Sequence, residues 1–162
     1  RSEDVRDDLI PGEIQRLALG AHQGYLETAK KTGNATQSDN WNRQWNELAT
    51  VEQHSNLAQI FDIPAKLAMV GLTWERVGHP VERPFSGREV EFLAEMEHRR
   101  WHHFQNRNGR PGHAWAEPWQ TLPDSVKEYD RNAVRMVPTL LAFEGLQIIP
   151  DPTSTVPLRA DR

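Results

Sequence analysis

The chain has 162 residues, no cysteine and a formal net charge of −4 at pH 7. Without cysteine there are no disulfides and no thiolate metal site, and the mild acidity argues against a nucleic-acid partner, which would require a basic excess. No apolar run approaches the roughly 20 residues of a transmembrane helix, and the charged start lacks the apolar core of a signal peptide. We expect a segment of a larger protein, beginning at Arg1, that does not itself insert into a membrane.

The first half predicts two helices separated by a polar loop. Residues 1–12 form a polar lead-in. A helix over 11–31 begins with Pro11, which suits a first helical turn, and ends before Gly33, which suits a helix stop. The loop over 33–47 follows.

A second helix is predicted over residues 49–70, with Gly71 at its end. Pro64 lies inside this span. An internal proline removes a hydrogen bond and clashes with the preceding turn, so we expect the helix to kink or split there. Residues 73–86 are predicted to be a linker.

The second half has the same layout. Ser86 suits the N-cap of the third helix because Glu89 lies three residues later, which is the capping-box spacing. That helix is predicted to run to Arg107 and to stop at Gly109, where a second polar loop over 109–122 begins.

The last predicted helix opens at Asp124 and runs to Glu144, with a kink at Pro138 and a glycine directly after its end. Residues 147–149 are predicted to form a short strand. The tail over 150–162 is rich in proline and is expected to be mobile.

The two halves repeat one another. The stretch EIQRLALGAHQGYL, which starts at Glu13, matches EVEFLAEMEHRRWH, which starts at Glu89. A second block starting at Trp41 matches one starting at Trp115, with an offset two residues shorter. The change of offset falls in polar loops, where insertions are tolerated. Two matched blocks in the same order indicate a tandem pair of one structural unit.

We expect repeat 1 to span 13–72 and repeat 2 to span 87–149. Each is marginal in size for an independent domain, so the two are expected to pack on each other with pseudo-two-fold symmetry. The predicted fold class is mostly α, a tandem pair of helix–loop–helix units with at most short β-strands. Tryptophans in the matched loops are expected to seal the core of each repeat: Trp41, Trp45, Trp115 and Trp119.

The second half resembles the repeat found in ryanodine receptors, the RyR domain. The resemblance rests on LAEMEHRRWHHF, on the tryptophan-containing loop and on LPDSVKEYDRNAVRMVPTLLAFEGL. The first half matches more loosely, and its IPAKL segment is similar to prokaryotic members of the family. The matching positions of the second half are Leu93, Ala94, His98, Trp101, Leu122, Pro123, Lys127, Glu128, Asp130, Arg131, Leu141 and Gly145.

The resemblance implies a location and a role. Paired repeats of this family lie in the cytosolic assembly of animal channels, and prokaryotic members accompany NAD-binding or ion-transport modules. A pair can hold an adenine nucleotide between aromatic residues, and the family is not known for catalysis. The chain is therefore expected to be a cytoplasmic, non-catalytic regulatory module, including the case of the cytosolic part of a membrane-associated protein.

The candidate ligand site follows from the repeat and the resemblance together. Tyr25 and Trp101 are equivalent, and each lies on the same helix face as a repeated histidine, His22 or His98. The two rings are expected to face each other across a cleft and to hold a planar base. The alternative is that both rings are core residues, which stabilise a small domain through their apolar area.

Arginines are candidates for phosphate contacts, because one guanidinium group can pair with two oxygens. The alternative is a solvated basic face. The candidate arginines are Arg99, Arg100 and Arg131.

Three classes of function remain open: a ligand-sensing module, a structural assembly domain without a small ligand, and a hydrolase that uses His98, His102 and Glu95. This cluster has the helical spacing of metal ligands, but Arg99 and Arg100 beside it would repel a cation. Nucleophile motifs such as GxSxG and phosphate loops such as GxxxxGK[ST] do not occur in the sequence. We predict no enzyme activity and no cofactor beyond the nucleotide-like ligand.

Overall fold

The chain folds as two successive runs of the same elements. A computed structural model describes residues 8–33, 43–109 and 117–157. The described part is mostly helical, as predicted. A single 3₁₀ turn precedes the second helix of each run. The elements are α1 (Pro11–Thr32), α2 (Thr50–Phe61), α3 (Ile63–Met69), β1 (Leu72–Arg76), α4 (Gly87–Arg107), α5 (Asp124–Arg135), α6 (Val137–Phe143) and β2 (Leu146–Pro150).

Both internal prolines split the predicted helices. Pro64 lies in the first turn of α3 and Pro138 in the first turn of α6. A first-turn proline costs little, because its missing N–H would have no intrahelical partner. The kink predicted at Pro138 is therefore a break between two helices.

Strand β1 corrects the predicted linker. It runs from Leu72 to Arg76 and so extends beyond the predicted boundary of repeat 1 at residue 72. Strand β2 includes the predicted strand at 147–149, and it pairs with β1 in antiparallel fashion. Paired residues lie 70 to 78 positions apart in the chain, so no local pattern in the sequence could reveal the pairing.

The strand ladder is symmetric about its central pair, Trp74 opposite Ile148, which are equivalent positions of the two repeats. Gly71 and Gly145 precede the strands and have φ angles of 77° and 81°. Those values lie in the left-handed region, which glycine enters without steric cost. Each run therefore turns from helix to strand in the same way, and the ladder joins the runs as a pseudo-two-fold pair.

The repeated glutamates cap the long helices. Glu13 accepts a hydrogen bond from the amide of Ile10 at 3.0 Å, and Glu89 accepts one from the amide of Ser86 at 2.9 Å. Each satisfies a backbone donor that the helix itself leaves unpaired. Each carboxylate also pairs with an arginine, Arg76 for Glu13 and Arg83 for Glu89.

The core lies between the long helices and the strand pair. Helix α1 packs against α2 and α5, and α4 packs against α5 and α2. Trp119 is buried in the core and Trp45 packs against it. The other two loop tryptophans, Trp41 and Trp115, lie outside the described residues, as does the end of the predicted mobile tail, 158–162. None of the described helices combines the length and apolar character needed to cross a membrane.

Two glycines let α1 approach the junction of α5 and α6. A Cβ atom added at Gly20 would lie 2.7 Å from Cδ2 of Leu140, and one added at Gly24 would collide with Sδ of Met136. The backbone of α1 therefore lies directly against these side chains. The equivalent position of Gly24 in α4 is Arg100, so the matching contact in the other repeat is built differently.

Substitution Gly24→Leu tests this close packing. We expect it to lower the free energy of unfolding by about 1–3 kcal/mol, because the side chain has no room beside Met136. This loss should appear although leucine favours a helix over glycine by roughly 0.8 kcal/mol. Urea denaturation measures the change.

Gln23→Leu is the matched control, since residue 23 is exposed on the same helix. It should leave the stability within about 0.5 kcal/mol of the parent. Adding Met136→Ala to Gly24→Leu should restore part of the loss. A Gly24→Leu protein as stable as the parent would show that α1 and Met136 are not in close contact.

Candidate functional site

A pocket lies where α1, α2, α4 and α5 meet. The pocket itself has a volume of about 80 Å³. The empty space is about 770 Å³ when the mouth that opens to solvent is included. Equivalent positions of both repeats line it, as a cavity on a pseudo-two-fold axis requires. The lining pairs are Ala21 with Glu97, Tyr25 with Trp101, Ser55 with Tyr129, Asn56 with Asp130, and Gln59 with Ala133.

The two candidate aromatic residues border this pocket together. Tyr25 and Trp101 are both half-buried. The ring centroids of Tyr25 and Tyr129 lie 4.8 Å apart, and the angle between the two ring planes is 37°. Each candidate ring also stacks on its repeated histidine, Tyr25 on His22 at 6.1 Å and Trp101 on His98 at 6.2 Å. The structure thus places both rings at the cleft rather than deep in the core.

The repeated histidines anchor the loops that precede α2 and α5. Nε2 of His22 donates to the carbonyl of Arg43, and Nε2 of His98 donates to the carbonyl of Glu117 at 2.7 Å. The two carbonyls are equivalent positions of the repeats. His98 lines the pocket, whereas His22 is fully buried and is absent from the lining. His22 therefore supports Tyr25 from behind and offers the pocket no atom.

The surroundings of Nδ1, the second ring nitrogen of the repeated histidine, differ between the two repeats. Nδ1 of His22 is buried without a hydrogen-bond partner among the described residues, and burial lowers the pKa of His22. Nδ1 of His98 lies 3.7 Å from Oδ2 of Asp130. Burial would lower the pKa of His98 as well, but Asp130 and the carbonyl of Glu117 outweigh it and raise that pKa. The equivalent of Asp130 in repeat 1 is the uncharged Asn56.

A buried ion cluster forms one wall of the pocket and links α3 to α4. The carboxylate of Glu97 accepts from Nζ of Lys66 at 2.9 Å and from Nη2 of Arg100 at 2.7 Å. Lys66 also donates to Asp62 at 2.8 Å. Burial would raise the pKa of Glu97, but the charges of Arg100 and Lys66 outweigh it and lower the pKa to about 2.

Two groups in the lining keep unused hydrogen-bonding capacity. Nη1 of Arg100 is buried and has no hydrogen-bond partner among the described residues. Burial, together with the charge of Glu97, raises the pKa of Asp130 to about 6, although His98 and Arg100 act in the opposite direction. Two lining residues therefore bring a buried, unpaired N–H of Arg100 and a carboxylate of Asp130 whose charged form burial disfavours.

The other two candidate arginines lie away from the pocket. Arg99 is exposed and pairs with Glu95. Arg131 pairs with Glu91 at 2.9 Å and lies over the Trp119 ring at 5.9 Å. Arg99 is adjacent to Arg100, and one residue along a helix turns the side chain by about 100°. Of the three candidates for a phosphate contact, Arg100 alone is in the lining.

Some lining residues were not singled out as site residues by the sequence. All but Glu97 of α4 come from α2 and α5, which the repeat places as a pair, but only the packing shows which of their faces meet α1 and α4. Within the described part of the chain, no three His, Asp or Glu side chains are arranged to hold a metal ion. The residues missed are Ser55, Asn56, Gln59, Glu97, Val126, Tyr129 and Asp130.

No protein-family model, curated protein or solved structure matches this chain. The resemblance to the ryanodine receptor repeat therefore stays a prediction, based on the residues quoted above.

Glu97→Gln tests the buried ion cluster. It would leave Lys66 and Arg100 buried without their shared anion, so we expect a loss of about 3–5 kcal/mol of stability at pH 7. The pKa of Glu97 is lowered on folding, so its stabilisation is present above about pH 4.5 and is lost as the pH falls towards about 2. Urea denaturation from pH 7 to pH 3 should show the parent and variant converging.

Glu95→Gln is the matched control. Glu95 also pairs with an arginine on the same helix, but Arg99 is 71% exposed. An exposed ion pair contributes at most about 1 kcal/mol, so this variant should be nearly as stable as the parent. Equal losses in the two variants would mean that burial does not strengthen the Glu97 cluster.

Proposed function

We propose that this protein is a non-catalytic, ligand-sensing module that binds a small planar, nucleotide-like molecule in the pocket between its two repeats. One observation carries the proposal. The equivalent aromatic residues Tyr25 and Trp101 border a single pocket together with Arg100, whose buried Nη1 lacks a partner among the described residues. A base that stacks on an aromatic ring gains roughly 1–3 kcal/mol, and an acceptor oxygen or ring nitrogen would satisfy the guanidinium donor.

The size of the pocket limits how such a ligand can bind. Its volume of about 80 Å³ is smaller than the roughly 150 Å³ of a cavity that admits benzene. The enclosed part would therefore receive the edge of a ring, while the sugar and phosphate of a nucleotide would lie in the open mouth.

Two contacts favour binding over hydrolysis. A general base needs a free nitrogen within reach of the proton that it accepts. Nε2 of His98 already donates to the carbonyl of Glu117 at 2.7 Å. Glu95 of the hydrolase hypothesis is held by Arg99.

A ligand in this pocket would bias the arrangement of the repeats. Its walls come from both runs of elements, so binding favours the arrangement in which both walls contact the ligand. Together with the family resemblance, this supports a cytoplasmic regulatory role beside other domains of a larger protein, including ion-transport or NAD-binding modules.

The alternative function is a structural assembly domain without a small ligand. It is favoured by large apolar side chains exposed outside the pocket, with Phe143 87% exposed, Val81 71% and Phe61 63%. Exposed apolar surface can mark protein contacts. Sedimentation analysis that shows self-association, together with no nucleotide binding, would favour this alternative.

Trp101→Ala and Tyr25→Ala test the proposed function. The parent is first screened by thermal shift with AMP, cyclic AMP and NAD, because a ligand that binds the native state raises its stability. For a nucleotide that binds, calorimetry should show Trp101→Ala losing about 1–3 kcal/mol of binding free energy through lost stacking.

Trp101→Phe is the control, since it keeps an aromatic face and should retain most of the affinity. Every variant must first show the circular dichroism of the folded parent, because both rings contact other side chains. If folded Trp101→Ala and Tyr25→Ala bind as tightly as the parent, the ligand lies elsewhere and both rings serve only packing.

A further inference from the structure

The pocket contains an acceptor and a donor that the protein itself does not use up. The carboxylate of Asp130 lines the pocket with 16% of its side chain exposed. Among the described residues its one ion-pair partner is Nδ1 of His98, at 3.7 Å, which is longer than a hydrogen bond. Arg100 also lines the pocket, and its buried Nη1 has no hydrogen-bond partner among the described residues.

The repeats show that this arrangement belongs to one side of the pocket. The equivalents of Asp130 and Arg100 are Asn56 and Gly24. The Nδ2 of Asn56 donates to the carbonyl of Glu52, and Gly24 is packed against Met136. Repeat 1 therefore offers neither a carboxylate nor a guanidinium group at these two positions, so the two sides of the pocket differ in charge.

We infer that Asp130 and Arg100 together select a planar heteroaromatic ring whose edge carries an N–H donor beside a hydrogen-bond acceptor. The inference rests on the proposed function and names the ligand's chemistry. The N–H of an exocyclic amino group would donate to Asp130, and the neighbouring ring nitrogen or oxygen would accept from Arg100. Aminated nucleobases belong to this class, whereas rings that carry acceptors alone do not.

The selectivity for a ring with an N–H donor follows from the energetic cost of leaving buried polar groups unpaired. A carboxylate whose pKa is raised to about 6 by burial gains from any N–H that approaches it. A ring without the donor would displace water from Asp130 and return no hydrogen bond. Selectivity would therefore come from rejection of the ring that lacks the amino group.

The test compares AMP with purine riboside 5′-monophosphate, which lacks only the exocyclic amino group. By calorimetry, we expect the parent to bind AMP about 10- to 100-fold more tightly, the value of a hydrogen bond to a charged group. In Asp130→Asn this ratio should fall to a few-fold, because the amide is uncharged and can turn to donate to the ring nitrogen that both ligands keep.

Two further variants complete the design. Asp124→Asn, an exposed position on the same helix outside the pocket, should keep the parental ratio. Arg100→Lys keeps a positive charge beside Glu97 but loses the forked guanidinium group. We therefore expect it to lower the affinity for AMP roughly 10-fold. Asn already occupies the position equivalent to Asp130 in repeat 1, so Asp130→Asn is expected to fold, and circular dichroism checks this.

The outcomes separate the two proposals. If both nucleotides bind the parent equally and both are weakened by Trp101→Ala, the pocket binds nucleotides but the inference about Asp130 is wrong. If Asp130→Asn keeps the parental ratio of the affinities for AMP and purine riboside 5′-monophosphate, the inference about Asp130 is wrong as well. If neither nucleotide binds the folded parent at millimolar concentration, the proposed nucleotide site is wrong and the inference is lost with it.

Discussion

The buried carboxylate of Glu97 constrains how the two halves of the molecule meet. It lies on α4 in the second run and receives Lys66 from α3 in the first run, together with Arg100 from its own helix. Three charges removed from water are tolerable only when they are paired and hydrogen-bonded. Any shift of α3 against α4 would separate them, so the cluster fixes the spacing between the repeats on this side and with it one wall of the pocket.

The packing of α1 against the α5–α6 junction, the equivalent contact in repeat 1, has a different physical basis. Where α4 has Glu97 and Arg100, α1 has Ala21 and Gly24. At Gly24 the α1 backbone lies against Met136 at the α5–α6 junction, so at this position van der Waals contact takes the place of the ion cluster. One repeated architecture therefore holds close backbone packing at Gly24 in one repeat and a buried ion cluster at the equivalent place in the other. The asymmetry gives a symmetric fold a pocket with distinct walls.

The repeated histidines show how one residue can serve structure in both repeats and chemistry in one. Each holds its tryptophan loop through an Nε2–carbonyl hydrogen bond. Against the effect of burial, Asp130 near Nδ1 helps to raise the pKa of His98, whereas burial lowers the pKa of His22. The second repeat thus combines its structural histidine with an ionisable pair that faces the pocket.

The sequence by itself determined the helical class, the repeated order of elements and the equivalence of Tyr25 with Trp101. These depend on apolar periodicity, proline and glycine positions and internal matching, which are local or comparative properties of the chain. It also predicted the capping role of Glu89, because a capping box is defined by spacing alone.

Only the tertiary structure decided the rest. Strand β1 exists because β2 lies beside it, a long-range pairing that local propensity does not encode. Arg99, Arg100 and Arg131 look alike in the sequence, yet packing buries Arg100 at the pocket and leaves the other two in surface ion pairs. A charged side chain becomes a ligand-binding candidate through what surrounds it, and burial and pairing are properties of the folded chain.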